Sequence, residues 1–88
     1  MAHSKQAKKR IRQNETAAAR NRPVRTFTSR RVRDAGEAIA DASPTAAEAV
    51  RVAQSALDRA ARHGVIHPNA AARRKSRLVR ALKRSQAA

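Results

Sequence analysis

Large apolar side chains are too scarce in this sequence to build more than one thin core. Leu, Ile, Val and Phe together supply 13 of the 88 residues, while Ala supplies 22. Alanine is the best helix former but covers little surface when buried. A charged chain with so little apolar bulk lies below the range in which folding alone is expected. Helices are therefore easy for this chain to form and a core is hard. Its length allows one small domain at most.

The apolar positions that exist recur at helical spacing. Runs of alternating β-branched or aromatic residues, the mark of strands, are absent. Helix breakers fall at Pro23, Gly36, Ser43-Pro44, Gly64 and Pro68. Ser43-Pro44 reads as an N-cap followed by the first helical residue. Thr45 with Glu48 offers a competing capping box. Gly64 reads as the residue just past a helix C-terminus, with Val65 placed to pack back on that helix. His67-Pro68 then restarts a helix. The punctuation predicts helices over roughly 5–42, 44–63 and 68–86.

Each predicted helix carries one apolar face. In the first, Val24, Thr28, Ala35, Ile39 and Ala42 share a face, with Phe27 and Val32 at its edges. The second has Val50, Ala53, Leu57 and Ala61, and the third Ala71, Leu78 and Leu82 with Val79 beside them. Val65 and Ile66 would close one end. Three such stripes with short connections predict an all-α fold, a three-helix antiparallel bundle. Residues 1–22 hold only Ile11 as a large apolar side chain after Met1. They are expected to form a basic helical extension to a bundle spanning 23–88, or to order only on a partner. Pro23, at the junction, is expected to kink the helix.

Charge narrows the function. The net charge is +15, from 21 basic and 6 acidic residues. Residues 1–33 carry net +10, 34–58 net −4 and 59–88 net +9. The basic clusters are Lys5-Lys8-Lys9-Arg10-Arg12, Arg20-Arg22-Arg25, Arg30-Arg31-Arg33 and Arg73-Arg74-Lys75-Arg77-Arg80. Like charges three or four apart on a helix repel. Arg73, Arg74 and Lys75 also sit in the first half of their helix, where the macrodipole disfavours cations. A polyanion partner removes both faults, which a merely solvated surface would not.

The sequence also says which polyanion. It has no Trp or Tyr, and Phe27 is expected at the edge of the core, so single-strand binding on aromatic platforms is disfavoured. No RNP motif, zinc-finger spacing or GxxG loop occurs. What remains is phosphate and sugar contact with a folded nucleic acid, read by shape. Asn14, Asn21, Asn69, Ser4 and Ser76 can add polar contacts between the charges.

Other chemistry finds little support. There is no cysteine. His63 and His67 are four apart, but Gly64 and Pro68 interrupt any shared helix, and no third ligand is near, so no metal is expected. Glu37 and Asp41 lack a nucleophile or histidine nearby and read as surface charges pairing with arginines. The sequence is expected to encode neither an enzyme nor a cofactor or small-molecule site. Lys8-Lys9-Arg10 resembles a nuclear-import signal only as many basic proteins do, and Arg30-Arg31 is not followed by the apolar segment of an export signal. No apolar run has signal-peptide or membrane-spanning length, so a cytoplasmic protein without a membrane partner is expected.

Four strings carry a resemblance: "AKKRIRQNE" (7–15), "RNRPVR" (20–25), "AQSALDRAARHGVIH" (53–67) and "NAAARRKSRLVRALKR" (69–84). Together they resemble bacterial small-subunit ribosomal protein twenty, nearly end to end. The resemblance implies a three-helix bundle with an elongated first helix that binds small-subunit (16S) ribosomal RNA and has no catalytic role. It implies a monomer within the ribosome and leaves other ribosomal components open as neighbours. Carried onto matching positions, it implicates Lys5, Lys8, Lys9, Arg10, Arg12, Arg20, Arg22 and Arg25 in the first helix. Near the C-terminus it implicates His67, Asn69, Arg73, Arg74, Lys75 and Arg77. Charge adds Arg30, Arg33 and Arg80 to the RNA-binding set, and polarity adds Asn14, Asn21 and Ser76. Pro23 and Pro68 depart from the Ala and Lys that such sequences often carry. A DNA-compacting nucleoid protein would need wedge residues or a dimer surface, and a membrane-active peptide a broad apolar face. The sequence offers neither.

Overall fold

A computed structural model describes residues 4–87 of the chain. Three helices run α1 (Lys5–Ala40), α2 (Ala46–Arg62) and α3 (Pro68–Ala87), and the described residues contain no strand. The expected all-α bundle with a long first helix is what forms. Both the extension expected over 1–22 and the bundle expected over 23–88 reach into residues 1–3 and 88, which lie outside the described residues.

Ser4 starts α1, its hydroxyl accepting the Ala7 N–H at 3.2 Å. The helix then continues without a break across Pro23. Proline there leaves the Ala19 carbonyl without its helical donor but does not end the helix. At 1.5 Å per residue α1 is about 54 Å long, and it sets the 61 Å length of a molecule only 21 by 20 Å across.

The core is as thin as the composition demands. Ala35, Val50, Ala53, Leu57, Ala71 and Leu78 form it, and Leu57 is its largest fully buried side chain. Val32, Ile39, Ala61, Ile66, Val79 and Leu82 pack around them half-buried. Thr28 enters the buried face of α1 by spending its hydroxyl on the Val24 carbonyl at 2.8 Å. Phe27 departs from expectation. It stays 48% exposed, because about 100° of helical rotation separates it from Thr28 and carries it off the packed face. No side chain from Ser4 to Arg20 is buried.

Both interhelical turns use the same backbone device. At the end of α2, Gly64 takes φ +73°, its N–H bonds the Ala61 carbonyl (3.1 Å), and the Val65 N–H bonds that of Ala60 (2.9 Å). This is a Schellman cap with a glycine in the left-handed position and a buried Val65 packing beneath it. At the end of α1, Ala42 N–H bonds Ile39 (3.1 Å) and Ser43 N–H bonds Ala38 (2.9 Å), with Ala42 at φ +51°. The first helix therefore ends at Ala40 rather than at 42, and an alanine holds a conformation that favours glycine.

The second helix starts later than expected. Ser43 does act as a cap, its hydroxyl accepting the Thr45 N–H at 3.3 Å, but the next bond, from Ala46 N–H to the Ser43 carbonyl, spans three residues. That tight turn delays α2 to Ala46. The capping box does not form: the Thr45 side chain makes no cap bond, and Glu48 lies 3.4 Å from Arg51. The third start is as expected, with Pro68 as its first residue. No helix among the described residues is long and apolar enough to cross a membrane.

Candidate nucleic-acid interface

The basic side chains fall into three surfaces, each created by a different part of the fold. On the free half of α1, Lys5, Lys8, Lys9, Arg12 and Arg20 line one side of the helix together with Thr16. Arg10 lies on another side, in a depression shared with Ser4, Ile11 and Asn14. At about 100° per residue Arg22 and Arg25 turn to a third side. Cations therefore surround the arm.

The second surface is a notch of about 510 Å³ where α1 meets the α2–α3 turn, lined by Arg20, Asn21, Val24, His63 and Val65. The Schellman cap at Gly64 places His63 and Val65 against the helix that carries Arg20. The third is a groove of about 500 Å³ between α1 and α3. Ser29, Val32, Arg33, Arg74, Arg77, Leu78 and Ala81 line it. It brings Arg33 to Arg74 and Arg77, residues far apart in sequence. No carboxylate lines either hollow.

The start of α3 is organised by His67. Its Nδ1 accepts the Asn69 N–H at 3.0 Å, so the imidazole caps the helix and keeps only Nε2 free. Arg73, Arg74, Ser76, Arg77 and Arg80 follow, all exposed. Lys75 differs: its Nζ is 2.9 Å and 3.1 Å from the Asp58 carboxylate oxygens on α2, and its charge is partly spent inside the molecule.

Few carboxylates compete for the rest. Arg31 pairs with Asp34 at 3.6 Å and Arg33 with Glu37 at 4.0 Å, both exposed enough for solvent to screen them. Asp41, expected to pair with an arginine, has no ion pair among the described residues, nor do the other lysines and arginines outside the pairs named here. The described residues hold no group of three potential metal ligands. Such an array, with Arg73 and Arg74 in the first turns of α3, is suited to binding phosphates.

Comparison with known proteins agrees with that geometry. The family model described as ribosomal protein S20 matches residues 2–83. The chain belongs to the ribosomal protein S20 family. A small ribosomal subunit protein bS20 from Roseiflexus sp. (strain RS-1) is 48% identical over 88 residues, covering 100% of this chain and 97% of its own. One from Bifidobacterium adolescentis is 48% identical over 83 residues, covering 93% and 96%. One from Thermotoga neapolitana is 42% identical over 80 residues, covering 89% and 81%.

The S20 match takes in every candidate position from Lys5 to Arg80. It also takes in two residues outside that set, His63 and Phe27. His63, expected as a turn histidine or a phosphate contact, shares the notch with Arg20 and Asn21. Phe27 was read as an edge of the core, yet it stands exposed. Neither had a local signal; both depend on how α1 lies against its neighbours.

Proposed function

We propose that the chain is a structural constituent of the small ribosomal subunit, in the cytoplasm, and that it binds 16S ribosomal RNA directly through phosphate contacts. The observation that carries this reading is the α1–α3 groove. Three arginines from two helices line it with no carboxylate in its walls, only Arg33 having an exposed partner outside it in Glu37, and a folded RNA supplies the closely spaced phosphates that would hold them. Lys5, Lys8, Lys9, Arg10 and Arg12 form the arm contact, with Asn14, Arg22 and Arg25 beside them. Arg20 and Asn21 join the arm to the turn, and Arg30 and Arg33 continue along α1. His67, Asn69, Arg73, Arg74, Lys75, Ser76, Arg77 and Arg80 form the second contact.

In this reading residues 1–22 are a basic extension and 23–88 the bundle that fixes its direction. The protein acts as a monomer within the ribosome and has no catalytic role. Counterion release supplies much of the affinity. Chemical footprinting of 16S ribosomal RNA with and without the protein tests the reading. Protection confined to a few helices is expected. Equal affinity for random duplex DNA and for the protected RNA fragment would overturn it.

A further inference from the structure

We propose that Phe27 is a stacking platform for a nucleobase of the bound RNA. The proposal rests on the RNA-binding reading and adds a base contact to an interface otherwise made of phosphate contacts.

Phe27 is the only Phe, Tyr or Trp of the chain, and it is 48% exposed. It is not among the side chains packed on the core, although that core is short of bulk. The fold leaves its largest apolar side chain outside. Its position on α1 is specific. At about 100° per residue, Lys9, Thr16, Arg20 and Phe27 lie within about 40° of one line along the helix. The ring thus stands on the same side as the arm's cationic stripe, less than two turns beyond Arg20. Asp34 sits near that line about two turns further on, and there the cationic stripe ends.

Arg31 holds the ring. Its guanidinium carbon is 5.0 Å from the ring centroid, and it also lies 3.6 Å from Asp34. The Arg31 Nε is buried without a hydrogen-bond partner. Arg31 also lines a hollow with Thr45, Glu48, Ala49 and Val52, so its stem is held beside α2 while its guanidinium sits by the phenyl group. A ring held by a cation, about half exposed and standing in line with cationic side chains has the features of a base-stacking site. A protein partner would gain little from the flanking cations, whereas a strand of RNA needs both.

The chain has no Trp or Tyr, so Phe27→Trp introduces a single fluorophore at the site. Full-length protein is titrated with the 16S fragment that wild type protects. The proposal expects Phe27→Trp to bind within about twofold of wild type, its emission quenched on binding. It expects Phe27→Leu to bind about fivefold or more weakly with an unchanged salt dependence. Ser55→Trp, exposed on α2 away from Arg31, is expected to stay bright. Unchanged emission from Phe27→Trp, equal quenching at Ser55→Trp, or wild-type affinity of Phe27→Leu overturns the stacking proposal. If wild type protects no 16S fragment, the RNA-binding reading itself fails, and the proposal with it.

Discussion

Exchanging one methyl group between the two turns tests whether backbone conformation or packing decides their stability. Ala42 and Gly64 occupy the same position in two Schellman caps, at φ +51° and +73°. An L-residue in the left-handed region costs about 1–2 kcal/mol. Glycine avoids that cost but loses about 0.5–1 kcal/mol more backbone entropy on folding. Ala42→Gly should therefore stabilise the bundle by about 0.5–1 kcal/mol. No atom lies within 4 Å of a Cβ built at Gly64, so Gly64→Ala neither clashes nor gains contacts. It should destabilise the bundle by a similar amount. The two sites lie at opposite ends of α2, about 25 Å apart at 1.5 Å per residue, so the effects should add in the double exchange and nearly cancel. For a domain of this size each change should move the thermal midpoint by roughly 3–6 °C in opposite directions. Far-UV circular dichroism in heat and in urea reads both, with unchanged urea slopes showing that the same surface is exposed on unfolding. A lower midpoint for Ala42→Gly, or no change for Gly64→Ala, would refute the conformational argument.

The same structure sets three other outcomes. Leu57→Ala, at the largest fully buried side chain, should cost about 2–5 kcal/mol and abolish the cooperative urea transition of so thin a core; a retained sharp transition would mean that Leu57 does not anchor it. Arg73→Ala and Arg74→Ala should each reduce the slope of log affinity against log salt by about one, while Lys75→Ala should change it less, because Asp58 already holds that ammonium; equal slopes for all three variants would contradict the pairing. Backbone amides of the arm, residues 5–19, should exchange rapidly in the free protein and become protected in the RNA complex, since no tertiary packing supports that half of α1. Strong protection without RNA would show that local helix propensity outweighs the crowding of its cations.

What could be read from the sequence divides along a physical line. Features set by a few neighbouring residues were legible: the left-handed Gly64, the restart at Pro68, the period of the apolar faces and the two basic arms around an acidic middle. Ala42 was not, because the left-handed residue carries no glycine to mark it, and the apolar face of α1 ran on through it. The start of α2 was right in its chemistry, with Ser43 capping Thr45, but displaced because its first turn is tighter than an α-helix. Phe27 could be placed at the edge of a face by rotation, but the gap between edge and solvent depends on where α2 lies. The meeting of Arg33 with Arg74 and Arg77, and of Lys75 with Asp58, spans segments that only the packed bundle brings together. The candidate surface was thus legible as a list of cations and not as an arrangement.

The unbroken passage of α1 through Pro23 makes the arm a gauge of phase as well as length. Each residue between the bundle and Ser4 advances the helix by 1.5 Å and turns it by about 100°. Inserting one alanine between Arg12 and Arg20 would leave charge and bundle unchanged, yet it would rotate Lys5, Lys8, Lys9 and Arg12 together by more than a quarter turn relative to α3. The same insertion in the turn around Ser43 would be absorbed outside any helix. The free half of α1 therefore tolerates exchange of one cation for another far better than any change in the number of residues between them.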